Sequence, residues 1–560
     1  MAEIENLLSV ARGDSPADLL LKNATIVNTF IAQLEEGNVA IYQDQIAGIG
    51  DYSLAKEVID LKGKFLIPGL IDGHVHLESS LLNPAEYAKA VVPRGVLGVV
   101  TDLHEITNVA GIKGIRYMLR WAESLPLDIF VMAPSCVPAT KLETAGARLE
   151  AEDLKSLLKE KNVIGLGEVM NFPGVVGGDP GILEKLKLFK DKVLDGHAPR
   201  LSGKALNAYL SAGIYSEHEC TAAEEAREKL SRGMWLMIRE GSSEKNLEAL
   251  LPLVNDRTYR RCLFVVDDRN CVDLLQDGDV DGVVRRAISK GLDPIRAIQL
   301  ATINPAEYFG LKGLGAVAPG YKANLAVLSD LSSLKVEMVF YQGQLVARNG
   351  QVVSPIPQIT EPELLHTVNI KPFDLEALKI PARGKTFPII EVVPGQIVTK
   401  RREEEVRIEN GFIQPDLERD ILKLVVVERH RATGNIGRGL VKGFGLKKGA
   451  LASSVAHDSH NIVAVGTNDQ DIFVAVKEIE RLQGGLVVSA EGRILGSLAL
   501  PIAGLLSEEP LSSVAQKLEE LKAQAFSLGC TLPAPFATLS FLALPVIPEL
   551  RLTDRGLVEV

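Results

Sequence analysis

From residue 65 the chain repeats one pattern: a short apolar run rich in Val, Ile, Leu and Gly, then a loop, then an amphipathic stretch. The runs are FLIPGLIDGHVH (65–76), VLGVVTD (96–102), DIFVMAPS (128–135), VIGLGEVM (163–170), VLDGHAP (193–199), AGIYSEHE (212–219), MWLMIREG (234–241) and CLFVVDD (262–268). Between them lie helical stretches such as PAEYAKAVVPRG, GIKGIRYMLRWAESL, AEDLKSLLKEK, PGILEKLKLFKDK, TAAEEAREKLSRG and SEKNLEALLPLV. Ser242 and Ser243 are expected to cap the last of these. Continuous apolar strands alternating with helices predict a parallel sheet covered on both faces, and eight such units close into a (β/α)8 TIM-like barrel. An open doubly wound sheet fits less well, because no strand-to-helix turn carries a Gly-rich dinucleotide fingerprint.

The flanks read differently. Residues 19–64 and 314–352 show short alternating segments with Gly and Asn-Gly turns. They are expected to form two halves of one small β-sandwich, residues 1–64 with 306–356, into which the barrel (65–305) is inserted. SPIPQITEP (354–362) reads as an extended linker. Residues 370–560 mix β-like runs (LKLVVVERH, NIVAVGT, GGLVVSAEG) with helical ones and are expected to be a separate α+β domain.

Composition narrows the functional classes. With 560 residues, 46% hydrophobic and 24% charged, the chain is a globular protein of several domains. Its net charge of -11 and lack of a basic stripe argue against nucleic-acid binding. No signal sequence or long apolar run points to secretion or a membrane. Five cysteines without a CxxC spacing suit a reducing cytoplasm.

In a barrel of this kind the active site sits at the C-terminal ends of the strands. Those ends carry His74 and His76, Glu168, His197, His218 and Asp267, with Asp102, His104 and Glu105 after the second run and Arg239 and Glu240 after the seventh. A lone strand histidine is more often structural than a ligand. However, His74 and His76 are i and i+2, so both face the barrel mouth. Four imidazoles and two carboxylates on one rim supply enough donors for two divalent ions, with Glu168 able to bridge them. Asp268 reads as a cap or salt-bridge partner, and Asp267 as ligand and proton carrier. Ser79 reads as a helix cap, while Glu78 either reaches the site or caps the same helix. Asp102, His104 and Glu105 hold a second metal-side contact, orient a substrate or buttress the ligands, and Arg239 and Glu240 either serve a substrate or form a structural ion pair. His457, Asp458 and His460 in AHDSHN are expected to be structural or at a rim. GHAPRLSGK is not a phosphate loop, because six residues separate Gly196 from the next glycine and Ala205 replaces the needed Ser or Thr.

PGLIDGHVH followed by Glu168, His197, His218 and Asp267 on later strands resembles the amidohydrolase superfamily. DGHVHLESS, VVPRGVLGVVTDLHEITNV, PSCVPAT, GLGEVMNFPGV, DGHAPRLSGK, SEHECT, MIREGS and LALPVIPELRLTDRGL resemble, more closely, its bacterial adenine deaminase family. Dihydroorotases and hydantoinases usually bridge their metals with a carboxylated lysine, whereas this chain has Glu168. Val266 stands where the family would lead one to expect Thr. The resemblance implies that metal-activated water converts adenine to hypoxanthine and ammonia, with Asp267 and Glu168 catalytic and Asp267 carrying the proton. It implies a binuclear centre of manganese or iron, with zinc also accepted by these donors. A cyclic amide or imide hydrolase of the dihydropyrimidinase type, or a scaffold without turnover, are the competing readings. A homo-oligomer of two or more chains is expected.

Overall fold

The computed structural model describes residues 2–357 and 359–560. Eight strands in chain order build the central barrel: β1 Leu70–His76, β2 Val96–Asp102, β3 Asp128–Ala133, β4 Val163–Val169, β5 Val193–Gly196, β6 Ser216–Glu217, β7 Trp235–Arg239 and β8 Cys262–Val265. β5 through β1 form one parallel run and β6 to β8 another. Asp267–Asp268, just past β8, pairs in parallel with Val75 and His76 of β1 and closes one seam. At the other seam the Gly196 N–H donates to Ser216 Oγ at 2.8 Å. A Cβ on Gly196 would lie 2.0 Å from the Ser216 carbonyl oxygen, so only glycine lets β5 and β6 approach this closely.

Several boundaries differ from the sequence pattern. The first apolar run is two strands. Phe65–Pro68 pairs with Ala17–Asn28 and Leu325–Leu328 in the flanking sheet, and only β1 enters the barrel. The change of partner falls at Gly69, whose N–H donates to the Asn324 carbonyl at 2.8 Å while the next N–H turns to Gly95. The sixth run keeps only Ser216–Glu217 as regular strand, because Gly213 bends the chain at φ +94° before it. Asn246, not the two serines, stands at the N-cap of Leu247–Leu250. Asn83, not Ser79, caps Pro84–Val91 by accepting from the Ala85 and Glu86 N–H groups at 3.1 and 3.2 Å.

The N-terminal segment and residues 325–352 share one nine-stranded sheet. Its buried face includes Leu21, Ile26, Val39, Leu66, Leu325 and Phe340. The C-terminal half is built on an eight-stranded sheet, with helix Asp469–Leu482 packed on it. This half sits over the barrel mouth. Thr144 donates from N and Oγ1 to Asp554 at 2.9 and 2.7 Å, and the Ser507 N–H donates to the Leu81 carbonyl at 2.8 Å.

Candidate metal centre at the barrel mouth

The six residues proposed as ligands from the strand ends come together in one buried cluster. Glu168, at the end of β4, lies between two groups of imidazoles. Its Oε1 is 3.0 Å from His76 Nε2 and 3.7 Å from His74 Nε2, and its Oε2 is 2.8 Å from His197 Nδ1 and 3.4 Å from His218 Nε2. Asp267 Oδ1 lies 3.2 Å from His76 Nε2 and 3.6 Å from His74 Nε2. Its backbone is left-handed at φ +62°, a conformation costly for a non-glycine residue and common at functional sites.

The imidazoles are oriented from behind. His74 Nδ1 faces the Asp195 carboxylate at 3.1 Å, and His76 Nδ1 faces the Asp102 carbonyl oxygen at 3.2 Å. A proton on each Nδ1 satisfies those acceptors and leaves the Nε2 lone pairs directed into the cluster. His74 Nε2 is buried without a hydrogen-bond partner. An orphaned nitrogen facing two carboxylates fits a divalent cation, as does the mixed imidazole and carboxylate donor set.

Electrostatics point the same way. Burial disfavours an imidazolium, yet Asp195, Asp267 and Glu168 push His74 up to about 10. Burial also disfavours carboxylates, yet the surrounding histidines hold Glu168 well below the usual range, and Arg239 with the histidines does the same for Asp267. The pocket is therefore a negative well that favours positive charge.

The remaining residues singled out from sequence divide by what they touch. Asp102 is a buttress: Oδ1 accepts from the His104 N–H at 3.0 Å and Oδ2 from the Glu168 N–H at 2.7 Å. A Cβ on residue 167 would lie 2.0 Å from that Oδ2, which explains glycine before Glu168. Glu78 Oε1 accepts from the Ile106 N–H at 3.1 Å and so ties down the first turn of helix His104–Ala110. His104 reaches the cluster, with Nδ1 3.6 Å from Glu168 Oε1. Arg239 does not pair with Glu240, which binds Arg286 instead. It joins Glu219, at 2.5 Å, to Asp267. Ser79 donates to Asp268. Glu105 points away from the ligands, to His457 and His460 of the C-terminal half.

Four residues escaped the sequence reading. Asp195 orients His74. Glu219, 3.4 Å from His218 Nε2, neutralises Arg239. Asp72 accepts from the His74 N–H at 3.0 Å and the Val266 N–H at 3.2 Å. Asn246 accepts from the Arg239 N–H at 2.7 Å and donates to the His218 and Cys220 carbonyls at 3.1 and 2.9 Å, locking the ends of β6 and β7. DG and EHE beside the histidines were the available signals for the acids. Asn246 had none.

A parallel barrel whose strand ends gather histidines and carboxylates in this way defines a metal-dependent hydrolase. Residues 65–346 match the model of the amidohydrolase family, and residues 396–560 that of the adenine deaminase C-terminal domain. An adenine deaminase from Dehalococcoides mccartyi is 60% identical over 557 residues, covering 100% of this chain and 98% of its own. Adenine deaminase 2 from Carboxydothermus hydrogenoformans is 51% identical over 561 residues, covering 100% of this chain and 98% of its own. Among solved structures, N-isopropylammelide isopropylaminohydrolase from Burkholderia multivorans aligns with a TM-score of 0.46 and 16% identity over 60% of this chain and 100% of that one. The chain belongs to the adenine deaminase family of the amidohydrolases.

Proposed function

We propose that the protein deaminates adenine to hypoxanthine and ammonia by hydrolysis, as a purine-salvage enzyme. The observation that carries this reading is Glu168, a single carboxylate facing His74 and His76 with one oxygen and His197 and His218 with the other. It occurs in a chain related over its whole length to adenine deaminases. In this reading His74, His76, Glu168, His197, His218 and Asp267 would hold the divalent ions. Manganese or iron bound there, with zinc as substitute, would supply Lewis acidity and a lower pKa for water at the site.

The protein's own groups handle the protons and the substrate. Arg239 grips Asp267 Oδ2, which keeps the carboxylate ionised and leaves Oδ1 facing the cluster. Oδ1 accepts one proton as water adds to C6 of the purine and passes it to the adjacent ring nitrogen; the proton of the added hydroxyl goes to the amine, so the C–N bond breaks, ammonia leaves and a carbonyl remains. A cleft of about 630 Å³ between the barrel mouth and the C-terminal half is assigned as the route of the purine; Ser79, Asp268, Glu244, His457 and Phe541 line it. Phe541 stacks on His457 with ring centroids 4.7 Å apart and offers a flat wall to a planar base.

The same reading divides the chain into the flanking β unit (1–64 with 306–356), the catalytic barrel (65–305) and a C-terminal domain (370–560). It places a homo-oligomer in the cytoplasm, where the five buried free cysteines stay reduced. Among the described residues no helix is long and apolar enough to cross a membrane. The test is to reconstitute the protein separately with manganese, iron and zinc and to offer adenine, hydantoin and dihydroorotate. Ammonia from adenine alone supports the reading. Ring opening of the cyclic amides without ammonia from adenine would replace it with a cyclic amide hydrolase.

A further inference from the structure

Glu105 follows the barrel strand β2, yet its partners lie more than 350 residues away in the C-terminal half: His457 Nδ1 on Oε1, at |i−j| = 352, and His460 Nε2 on Oε2. The carboxylate is 2% exposed and His460 1% exposed. His460 Nδ1 accepts the Ala456 backbone N–H at 3.1 Å, so a neutral ring carries its only proton on Nε2, the atom that faces Glu105. The ring thus turns its N–H toward the Glu105 carboxylate. On its other side, Glu105 Oε1 is 3.3 Å from His104 Nε2, and the opposite nitrogen of that ring faces Glu168 Oε1 at 3.6 Å.

The loop that supplies the two histidines is itself held firmly. Arg429, fully buried, spends its guanidinium on the His460 carbonyl, the Ala503 carbonyl at 3.1 Å and Thr367 Oγ1 at 3.3 Å. Asn461 Nδ2 reaches across to the Thr144 carbonyl of the barrel at 2.8 Å. His460 sits in the left-handed region at φ +55°, which costs a β-carbon residue about 1–2 kcal/mol and persists only where the surroundings impose it. Asp458, between the histidines, brings Oδ1 to 3.8 Å from His104 Nε2.

We propose that residues 456–461 of the C-terminal half complete the active site, with His457 and His460 as positioning residues that hold Glu105 and, through it, His104 against Glu168. The inference rests on the deaminase reading above. It assigns the C-terminal half a part in the reaction and explains why a buried carboxylate at a barrel strand end faces away from the ligand cluster.

The test compares the manganese-loaded full-length enzyme with His460→Leu, His460→Gln, Glu105→Gln and the Glu105→Gln/His460→Leu double variant. kcat and KM for adenine are measured, together with bound metal by mass spectrometry. His460→Leu lowers kcat by about 10–100-fold, the usual cost of losing an outer partner of a metal site. Its KM stays within about threefold and its metal content is unchanged, because the lost partner touches neither substrate nor ion. His460→Gln, whose amide N–H occupies the place of Nε2–H, recovers most of the loss. The double variant is no slower than Glu105→Gln alone, because both act through one carboxylate. Wild-type kcat in His460→Leu, equal loss in the Leu and Gln variants, or effects that multiply would each overturn the proposal. If His460→Leu does not accumulate as folded protein, Glu105→Gln is read in its place: a lower kcat with KM and bound metal unchanged supports the proposal, and wild-type kcat overturns it. Wild-type enzyme that releases no ammonia refutes the deaminase reading itself, whereas active wild type with an indifferent His460→Leu refutes only this inference.

Discussion

His74 Nδ1 lies 3.1 Å from the Asp195 carboxylate, and both side chains are wholly buried. That contact fixes which nitrogen of His74 bears the proton and raises the basicity of the other, the one facing Glu168 and Asp267. Asp195→Asn keeps an acceptor and removes the charge. Its metal affinity should fall by about 10–100-fold, read by chelator competition. Unchanged affinity would mean that Asp195 is a packing residue only.

Glu168 touches both imidazole groups, so its charge should matter more than that of any other ligand. Glu168→Gln is expected to lower kcat by at least about 100-fold, the same order as loss of a key electrostatic group in other active sites, and to reduce bound metal. Turnover within a few-fold of wild type would remove Glu168 from the centre.

Arg239 neutralises the buried carboxylate of Asp267 and the partly buried one of Glu219. Arg239→Met leaves both uncompensated and should cost about 3–5 kcal/mol in metal-free protein, seen as a lower urea midpoint. Arg239→Lys should recover only part of this, because an ammonium cannot span both acids as the guanidinium fork does.

Much of this centre could be read in the sequence, and the reasons are physical. His74 and His76 stand out because a strand repeats every two residues, Asp267 because it directly ends an apolar run, and Glu168, His197 and His218 because they fall at the ends of later strand runs of the same pattern. The barrel was visible for the same reason, since strands buried on both faces cannot hide among polar residues. Gly69 shows where this failed. FLIPGLI is uniformly apolar, and nothing in it says that the hydrogen-bond partners change halfway. Asp195 and Glu219 were hidden by being adjacent to more conspicuous histidines. The contact of Glu105 with His457 and His460 was out of reach because it depends on how two distant parts of the chain dock, which no local period encodes.

Glu143 tests the interface between barrel and C-terminal half by its pH dependence. It is 3% exposed and both carboxylate oxygens lack a hydrogen-bond partner. Burial, reinforced by the Asp458 and Asp554 carboxylates, holds its pKa well above the usual range. A folded-state pKa above the unfolded value of about 4.3 means that its contribution is intact at lower pH and is lost as pH rises through the folded pKa. Glu143→Gln removes that loss. The variant should be more stable than wild type by about 1–2 kcal/mol at pH 8 and nearly equal to it at pH 4, read from urea midpoints. A variant less stable at pH 8 would contradict the assignment.

If the six strand-end residues hold two ions, deamination follows metal loading; the protein is stripped of metal and titrated with manganese, and hypoxanthine and ammonia formed from adenine are followed. Both products should appear in equal amounts, with the rate climbing to a plateau at about two ions per chain, the number this donor set can hold. Full activity at one ion per chain would contradict the two-ion centre, and no product at any metal loading would contradict the function itself.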